Sequence, residues 1–141
     1  MRLLLDANIL LDCLVLEASG RPRPGKAASG ELLTRCDHEI HQGLVAWHTL
    51  PIVAYYFQKQ RSAGDTGTMM DHLMTMLEIP AVGHAQAVSS RTFGLTDFED
   101  ALQVVCAFAG MADVIITRNL ADFAGIAMPV MTPEAFLAAH P

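Results

Sequence analysis

The sequence predicts an α/β fold, a parallel sheet of short buried strands with helices over both faces. Three observations carry that prediction. Short apolar or β-branched runs at residues 2–5, 44–47 and 114–117 stand between longer segments with helical periodicity. The intervening segments are far too long for hairpins, so the strands run parallel through helical crossovers. Of the 141 residues, 52% are hydrophobic and 17% charged, which suits a sheet covered on both faces and excludes a disordered chain. The length is that of a single domain over residues 1–141.

The first strand, residues 2–5, ends where the chain turns polar at Asp6. A helix follows over residues 8–17, with Asn8 in its first turn; Pro22 and Pro24 then impose a loop over residues 19–25. A second helix covers residues 27–41 with Gly43 as its stop, and residues 44–47 form the second strand. Residues 49–61 read as a helix that tolerates Pro51 in its first turn under a cap from His48 or Thr49. Residues 64–67, Gly-Asp-Thr-Gly, read as a loop before a Met-rich helix over residues 68–77. Its Met69, Met70, Met74 and Met76 read as core filling, since unbranched Met fits irregular gaps; an adaptable partner surface is the alternative. An extended piece at residues 79–82 and a helix at residues 85–93 come next. Thr96 and Glu99 then fit a capping box, and Phe98, Ala101, Leu102, Val105, Phe108 and Ala109 form an apolar stripe that stops near Gly110. The third strand, residues 114–117, leads to Asn119 and Asp122 on a strand-to-helix connection. Thr132 caps the last helix and Pro133 opens it.

Nine Lys and Arg against fifteen Asp and Glu leave a net charge of −6. That balance argues against a broad basic grip on nucleic acid, so a nucleic-acid function needs another source of positive charge. Cys13, Cys36 and Cys106 are odd in number and widely spaced, which predicts buried thiols and no disulfide framework. Asp6 and Asp12 interrupt the apolar N-terminus, and no run is long enough to span a membrane, so a soluble, cytoplasmic protein is expected. The six histidines show no zinc spacing, with His38 and His41 expected at the surface, and Tyr55, Tyr56 and Phe57 are expected to pack.

The chemistry concentrates in carboxylates. Asp6, Asp100 and Asp122 come from three separated segments that converge where strands end, the usual ligand edge of such sheets. Residues 97–122 hold five acids and one base, Arg118, a balance that favours a hard divalent cation over a salt-bridge network. Each residue also has a structural reading: Asp6 ends a strand, Asn8 caps a helix and Asp100 complements a helix dipole. For Asp6 and Asp100 both readings stand open on spacing alone. Glu99 is assigned to the capping box and Asp97 to a solvated first turn.

The opening LLLDANILLD, the segment TDFEDALQ from Thr96 to Gln103, the stretch ADVIITRNLADF from Ala112 to Phe123 and the ending TPEAFL together resemble the PIN-domain family. The resemblance is closest to bacterial proteins of the VapC toxin type, in the branch with TRN in place of TRD. It implies a three-layer α/β/α sandwich with a central parallel sheet, and an acidic pocket holding Mg²⁺ or Mn²⁺. It also implies endoribonuclease activity on RNA, a homodimer and an antitoxin partner. Carried over by motif, Asp6 and Asp100 match metal-site acids, Asn119 the TRD aspartate, Asp122 a further acid, and Asn8 and Thr117 polar supports. Asp12 also recurs in this type of opening and reads as structural. Arg118 either contacts phosphate or packs, and Arg21, Arg23 and Lys26 either guide RNA or form a solvated loop.

Two departures qualify the match. Ile52 stands at or beside the place of a Glu in the helix after the second strand, and no acid occurs between Glu39 and Asp65. Asn119 replaces a carboxylate by a neutral amide. The expected activity is a metal-dependent ribonuclease with Asp6, Asp100 and Asp122 as the catalytic acids. The alternative is a degenerate domain that only binds. A third reading, Asp6 as phosphoacceptor, lacks a downstream Lys, the last being Lys59.

Overall fold

The computed structural model describes residues 1–141. Arg2–Leu5 (β1) lies between Gln42–Leu44 (β2) and Val114–Ile116 (β3), and Val130–Met131 (β4) completes an all-parallel sheet in the order β2-β1-β3-β4. Seven helices flank it: Ala7–Leu14 (α1), Lys26–Asp37 (α2), Thr49–Gln58 (α3), Ala63–Met76 (α4), His84–Ser89 (α5), Phe98–Ala109 (α6) and Pro133–Ala139 (α7).

Alternation along the strands divides the core into two layers. Leu3 and Leu5 of β1, with Val114 and Ile116 of β3, pack against Ile9, Leu10, Leu32, Val53, Leu73 and Phe136 from five helices. Leu4 and Ile115 face the other way, onto Val104, Cys106 and Ala107 of α6 and onto Phe123. The expected three-layer sandwich is therefore observed. Burial on both faces is also why β1 reads as an unbroken apolar run rather than an alternating one. The first crossover, from β1 to β2, leads to one side of β1, while β3 and β4 lie on its other side. This reversal opens a crevice at the C-terminal ends of β1 and β3.

Several predicted boundaries move, each for a local reason. Helix α1 stops at Leu14, short of residue 17, because Val15 turns extended and Leu16 pairs with Pro22 across the loop. Helix α2 ends at Asp37, and Glu39 makes the turn at φ 58°. Gly43 does not stop that helix. It lies in β2, where a Cβ would collide with Leu77 Cδ2 and stand 3.1 Å from Cys36 Sγ, so the glycine permits close packing. The second strand accordingly runs two residues earlier than predicted, and Val45 N–H continues the pairing by donating to the Glu78 carbonyl at 2.9 Å. His48 occupies the N-cap of α3, as one of the two expected residues, but makes no side-chain capping hydrogen bond. Residues 64–67 are helical, not a loop. Ser62 and Asp65 form a reciprocal capping box at the start of α4, which offsets the poor propensity of Gly64 and Gly67. Residues 79–82 form no strand, although the preceding Glu78 bridges to Leu44, and β4 was not foreseen.

Met69, Met70 and Met76 pack against the core while Met74 is exposed. Of the aromatic run, only Phe57 is buried; Tyr55 and Tyr56 are exposed, with Lys59 Nζ 4.1 Å from the Tyr55 ring. His41 is half-buried rather than at the surface, edge-on to Phe136 at 5.3 Å. Cys36 and Cys106 are buried and Cys13 half-buried, all as free thiols. No helix is long and apolar enough to cross a membrane.

Candidate functional site

Asp6 is the residue at which β1 ends and α1 begins, but its carboxylate does not cap that helix. Its backbone N–H donates to the Ile116 carbonyl at 3.0 Å, which fixes it at the paired exits of β1 and β3. Thr117 Oγ1 donates to Asp6 Oδ2 at 2.6 Å, Asn8 Nδ2 to the same oxygen at 2.5 Å, and Gln103 Nε2 to Oδ1 at 2.8 Å. Asn8 also donates to Thr117 Oγ1 at 3.1 Å and accepts from the Arg118 N–H at 3.2 Å, stapling the two strand exits together. Asp6 is 6% exposed and pairs with no Lys or Arg. Burial pushes its carboxyl above the ordinary range; the Thr117 and Gln103 hydrogen bonds oppose this, and the Glu99 charge adds to it.

The second part of the site is the start of α6, where the sequence reading is corrected. Asp97, not Thr96, is the N-cap, and its Oδ1 accepts from the Glu99 N–H at 2.7 Å. The expected capping box is absent, so Glu99 is free to turn elsewhere. Gln103, one turn further along α6, donates from Nε2 to Glu99 Oε1 at 3.0 Å, and His48 Nε2 lies 3.4 Å from the same oxygen. One fully buried carboxamide thus holds Asp6 and Glu99 together.

The expected stripe on α6 is corrected as well. Phe98 and Phe108 are exposed, and the buried side comprises Ala101, Gln103, Val104, Val105, Cys106 and Ala107. Small and β-branched side chains let α6 lie close on β1 and β3, which brings Gln103 to Asp6.

Asp97, Glu99 and Asp100 each place an oxygen within 4.8 Å of the others. Asp122, exposed on a 3-10 turn over Leu120–Phe123, joins Asp97 and Asp100 in lining an open cleft of about 450 Å³. A larger cleft of about 620 Å³ lies beside Gln42 and Glu78, away from these acids. The Asp100 carboxyl is pushed up to about 7, first by burial and then by the charges of Asp97, Glu99, Asp6 and Asp122.

The remaining residues singled out by sequence lie around this group. Thr117 is buried at the exit of β3. Asn119 is exposed; its backbone N–H donates to Thr117 Oγ1 at 3.0 Å, and its side chain makes no hydrogen bond. The Arg118 guanidinium points away, to Asp12 Oδ2 at 2.9 Å, Glu134 at 2.6 Å, Ser29 Oγ at 3.0 Å and the Gly25 carbonyl at 2.9 Å. Asp12 is buried in that network, which Arg23 joins at 3.2 Å. Ile52 is half-buried in α3.

Sequence reasoning gave Glu99 to a capping box and His48 to a helix cap, and did not single out Gln103. One signal was available for Glu99 and Gln103: Gln103 is the single polar residue in the run ALQVVCAFA, and it follows Glu99 at the i,i+4 spacing that brings side chains together.

None of the five acids has a Lys or Arg partner. A buried Asp6 without countercharge and an Asp100 half-protonated near neutrality fit a hard divalent cation with oxygen ligands. The same geometry sets a pH dependence for the metal-free protein. The Asp100 carboxyl titrates near 7 folded and near its ordinary 3.8 unfolded. Its contribution to stability is therefore full below about pH 3.8 and is lost as pH rises through about 7. In thermal melts with EDTA, the Tm of wild type relative to Asp100→Asn is expected to fall by a few °C between pH 5 and 8. An unchanged difference contradicts the raised carboxyl.

Comparison with known proteins places the fold. No curated protein matches the chain. A VapBC2 structure from Rickettsia felis, bound to a DNA fragment from its promoter, matches with a TM-score of 0.64 at 15% identity, over 93% of this chain and 97% of that one. A FitAcB structure from Neisseria gonorrhoeae matches with a TM-score of 0.64 at 14% identity, over 94% and 98% of the two chains. A FitAB structure bound to an IR36 DNA fragment matches with a TM-score of 0.62 at 15% identity, over 93% and 94%. At such identities these likenesses establish the shared fold. The family model described as PIN domain matches residues 2–121, a span that runs from β1 through the acidic start of α6 to the exit of β3. With that span matched and the sheet and helices arranged as in those structures, the chain belongs to the PIN-domain family.

Proposed function

We propose that the protein is a metal-dependent endoribonuclease and the toxin of a toxin–antitoxin pair, acting as one domain over residues 1–141. The observation that carries the reading is the group of acids around Asp6 and Asp100, left without any Lys or Arg partner at the strand exits. Asp6 and Asp100 would hold Mg²⁺ or Mn²⁺, with Asn119 able to add an amide oxygen. A divalent ion bound there supplies a Lewis acid that acidifies water and neutralises charge on the scissile phosphate.

The chain's own residues do the rest. Asn8, Thr117 and Gln103 fix both oxygens of Asp6, so the carboxylate needs little reorganisation during reaction. Asp122, at the cleft surface, orients the attacking water and accepts its proton on a carboxylate oxygen. Arg118 acts through its backbone, by placing Asn8, rather than as a phosphate contact. The net charge of −6 is consistent with this chemistry, because bound cation rather than a basic surface meets the phosphate.

The likeness to VapBC2 and FitAB structures supports an antitoxin partner. A homodimer and a cytoplasmic location complete the reading. Single-stranded RNA incubated with the protein and Mn²⁺ is expected to be cleaved, and EDTA or Asp100→Asn is expected to stop the cleavage. Cleavage that persists under either condition rejects the mechanism. Metal-independent RNA binding without cleavage selects the degenerate module instead.

A further inference from the structure

We propose that Glu99 is a metal-site carboxylate delivered from α6, and that Gln103 is the positioning residue that turns Glu99 and Asp6 toward one ion. The inference rests on the metal site of the nuclease reading and adds to it a ligand and its support. The start of α3 borders the site, where its N-cap residue His48 approaches Glu99. That helix offers no carboxylate, because α3, TLPIVAYYFQ, contains no acid.

An acid in the first turn of a helix ordinarily extends into solvent. Glu99 instead has Oε1 drawn in by Gln103 at 3.0 Å and lies 3.4 Å from His48 Nε2, while its side chain stays 39% exposed and open to an ion. Asp6 Oδ1 and Glu99 Oε1 both lie within 3.0 Å of one nitrogen, so they are less than about 6 Å apart. Two carboxylates from different elements drawn to one neutral nitrogen repel each other, which adds to burial in raising the Asp6 carboxyl in the metal-free protein, and a cation between them relieves that repulsion. Gln103 is fully buried, and its other amide atom, Oε1, has no hydrogen-bond partner. A buried acceptor without a donor is costly, so this side chain is held in the core at a cost while its Nε2 serves the two carboxylates.

The test is calorimetric titration of the full chain with Mn²⁺, together with the electron paramagnetic resonance spectrum of bound Mn²⁺ and the metal-free Tm. Glu99→Gln keeps the size and the acceptor for Gln103. It is expected to weaken Mn²⁺ binding at least tenfold and alter the spectrum, with metal-free Tm unchanged within a few °C. Gln103→Leu is expected to weaken binding ten- to a hundredfold at a temperature where its metal-free circular dichroism matches wild type. Glu31→Gln, an exposed acid on α2, is expected to leave Mn²⁺ affinity unchanged. If Glu99→Gln binds Mn²⁺ like wild type while Asp100→Asn does not, the metal site stands and Glu99 is not part of it. If Gln103→Leu changes only Tm, its positioning role is overturned. Wild type that binds no Mn²⁺ at millimolar concentration overturns both this inference and the nuclease reading beneath it.

Discussion

Asp6→Asn is expected to lower Mn²⁺-dependent RNA cleavage by at least ~10²-fold while leaving the protein folded. Asp6 is the most completely held acid of the site, with Thr117, Asn8 and Gln103 donating to its two oxygens. Asparagine keeps the shape but removes the charge and half of the acceptor capacity, so a divalent ion loses its deepest carboxylate. Stability responds differently. The wild-type carboxylate is buried with no cation beside it, and burial already raises its pKa. Neutralising it relieves a desolvation cost, which offsets the mismatch between the new amide NH₂ and a neighbouring donor. Activity and Tm should therefore separate, with cleavage lost and metal-free Tm within a few °C of wild type. Parallel loss of both would mean that Asp6 serves only to hold the strand exits together and has no part in the mechanism.

Arg118→Ala is expected to act the other way, on stability first, at a cost of about 3 kcal/mol and roughly 10 °C in Tm. The guanidinium serves Asp12, Glu134, Ser29 and the Gly25 carbonyl at once, tying the end of β3 to α1, α2, α7 and the loop before α2. Asp12 is 5% exposed, and removing Arg118 leaves it with Ser29 Oγ at 2.9 Å and Arg23 Nε at 3.2 Å, the latter on a partly exposed side chain. Lysine cannot replace the planar fork that reaches four acceptors, so Arg118→Lys should recover only part of the loss.

The Arg118 partnership also carries a pH signature. Its hydrogen bond holds the Glu134 carboxyl below the usual 4.5, with burial opposing. That contribution is present above about pH 4.5 and is lost as pH falls through the lower folded value; in Arg118→Ala it should be absent. Denaturant titrations at pH 3.5 and 7 measure this, and equal loss of stability at both would contradict the assignment. Any effect of Arg118→Ala on cleavage should follow the folded fraction, since the guanidinium points away from the acidic cleft.

The legible parts of this protein are those whose signals are local. Three buried leucines ending at Asp6 mark β1 and its exit, because a strand buried on both faces needs an unbroken apolar run and its end must meet polar surroundings. Val114–Ile116 is legible for the same reason, and Thr132 with Pro133 mark α7 because a capping hydroxyl and a fixed φ act within one turn. Asp12, read as structural, is indeed in an ion-pair network. The family resemblance singled out Asp6 and Asp100; Asp6 lies at the strand exits and Asp100 in the first turn of α6, near enough that the Asp6 charge helps raise the Asp100 carboxyl.

What the structure corrected turned on packing. Thr96 and Asp97 are both competent caps, and their local energies differ by too little to choose between them. From Ala101 onward α6 is apolar but for Gln103, so the stripe read from its periodicity took in Phe98 and Phe108, which face outward. Contact with β1 and β3 settled the cap and the buried side at once: Ala101, Val104 and Ala107 went inward, Phe98 and Phe108 outward, and Glu99 was released from the expected capping box. Strand β4 escaped notice because two residues beside Pro129 carry no period and are ordered only by pairing with β3. Sequence alone determined the α/β architecture and the place of Asp6 at the end of β1, since burial and chain direction are written in short runs of side chains. Only the tertiary structure decided that Gln103 would join Asp6 to Glu99, because residues 97 positions apart meet only when α6 docks on the sheet.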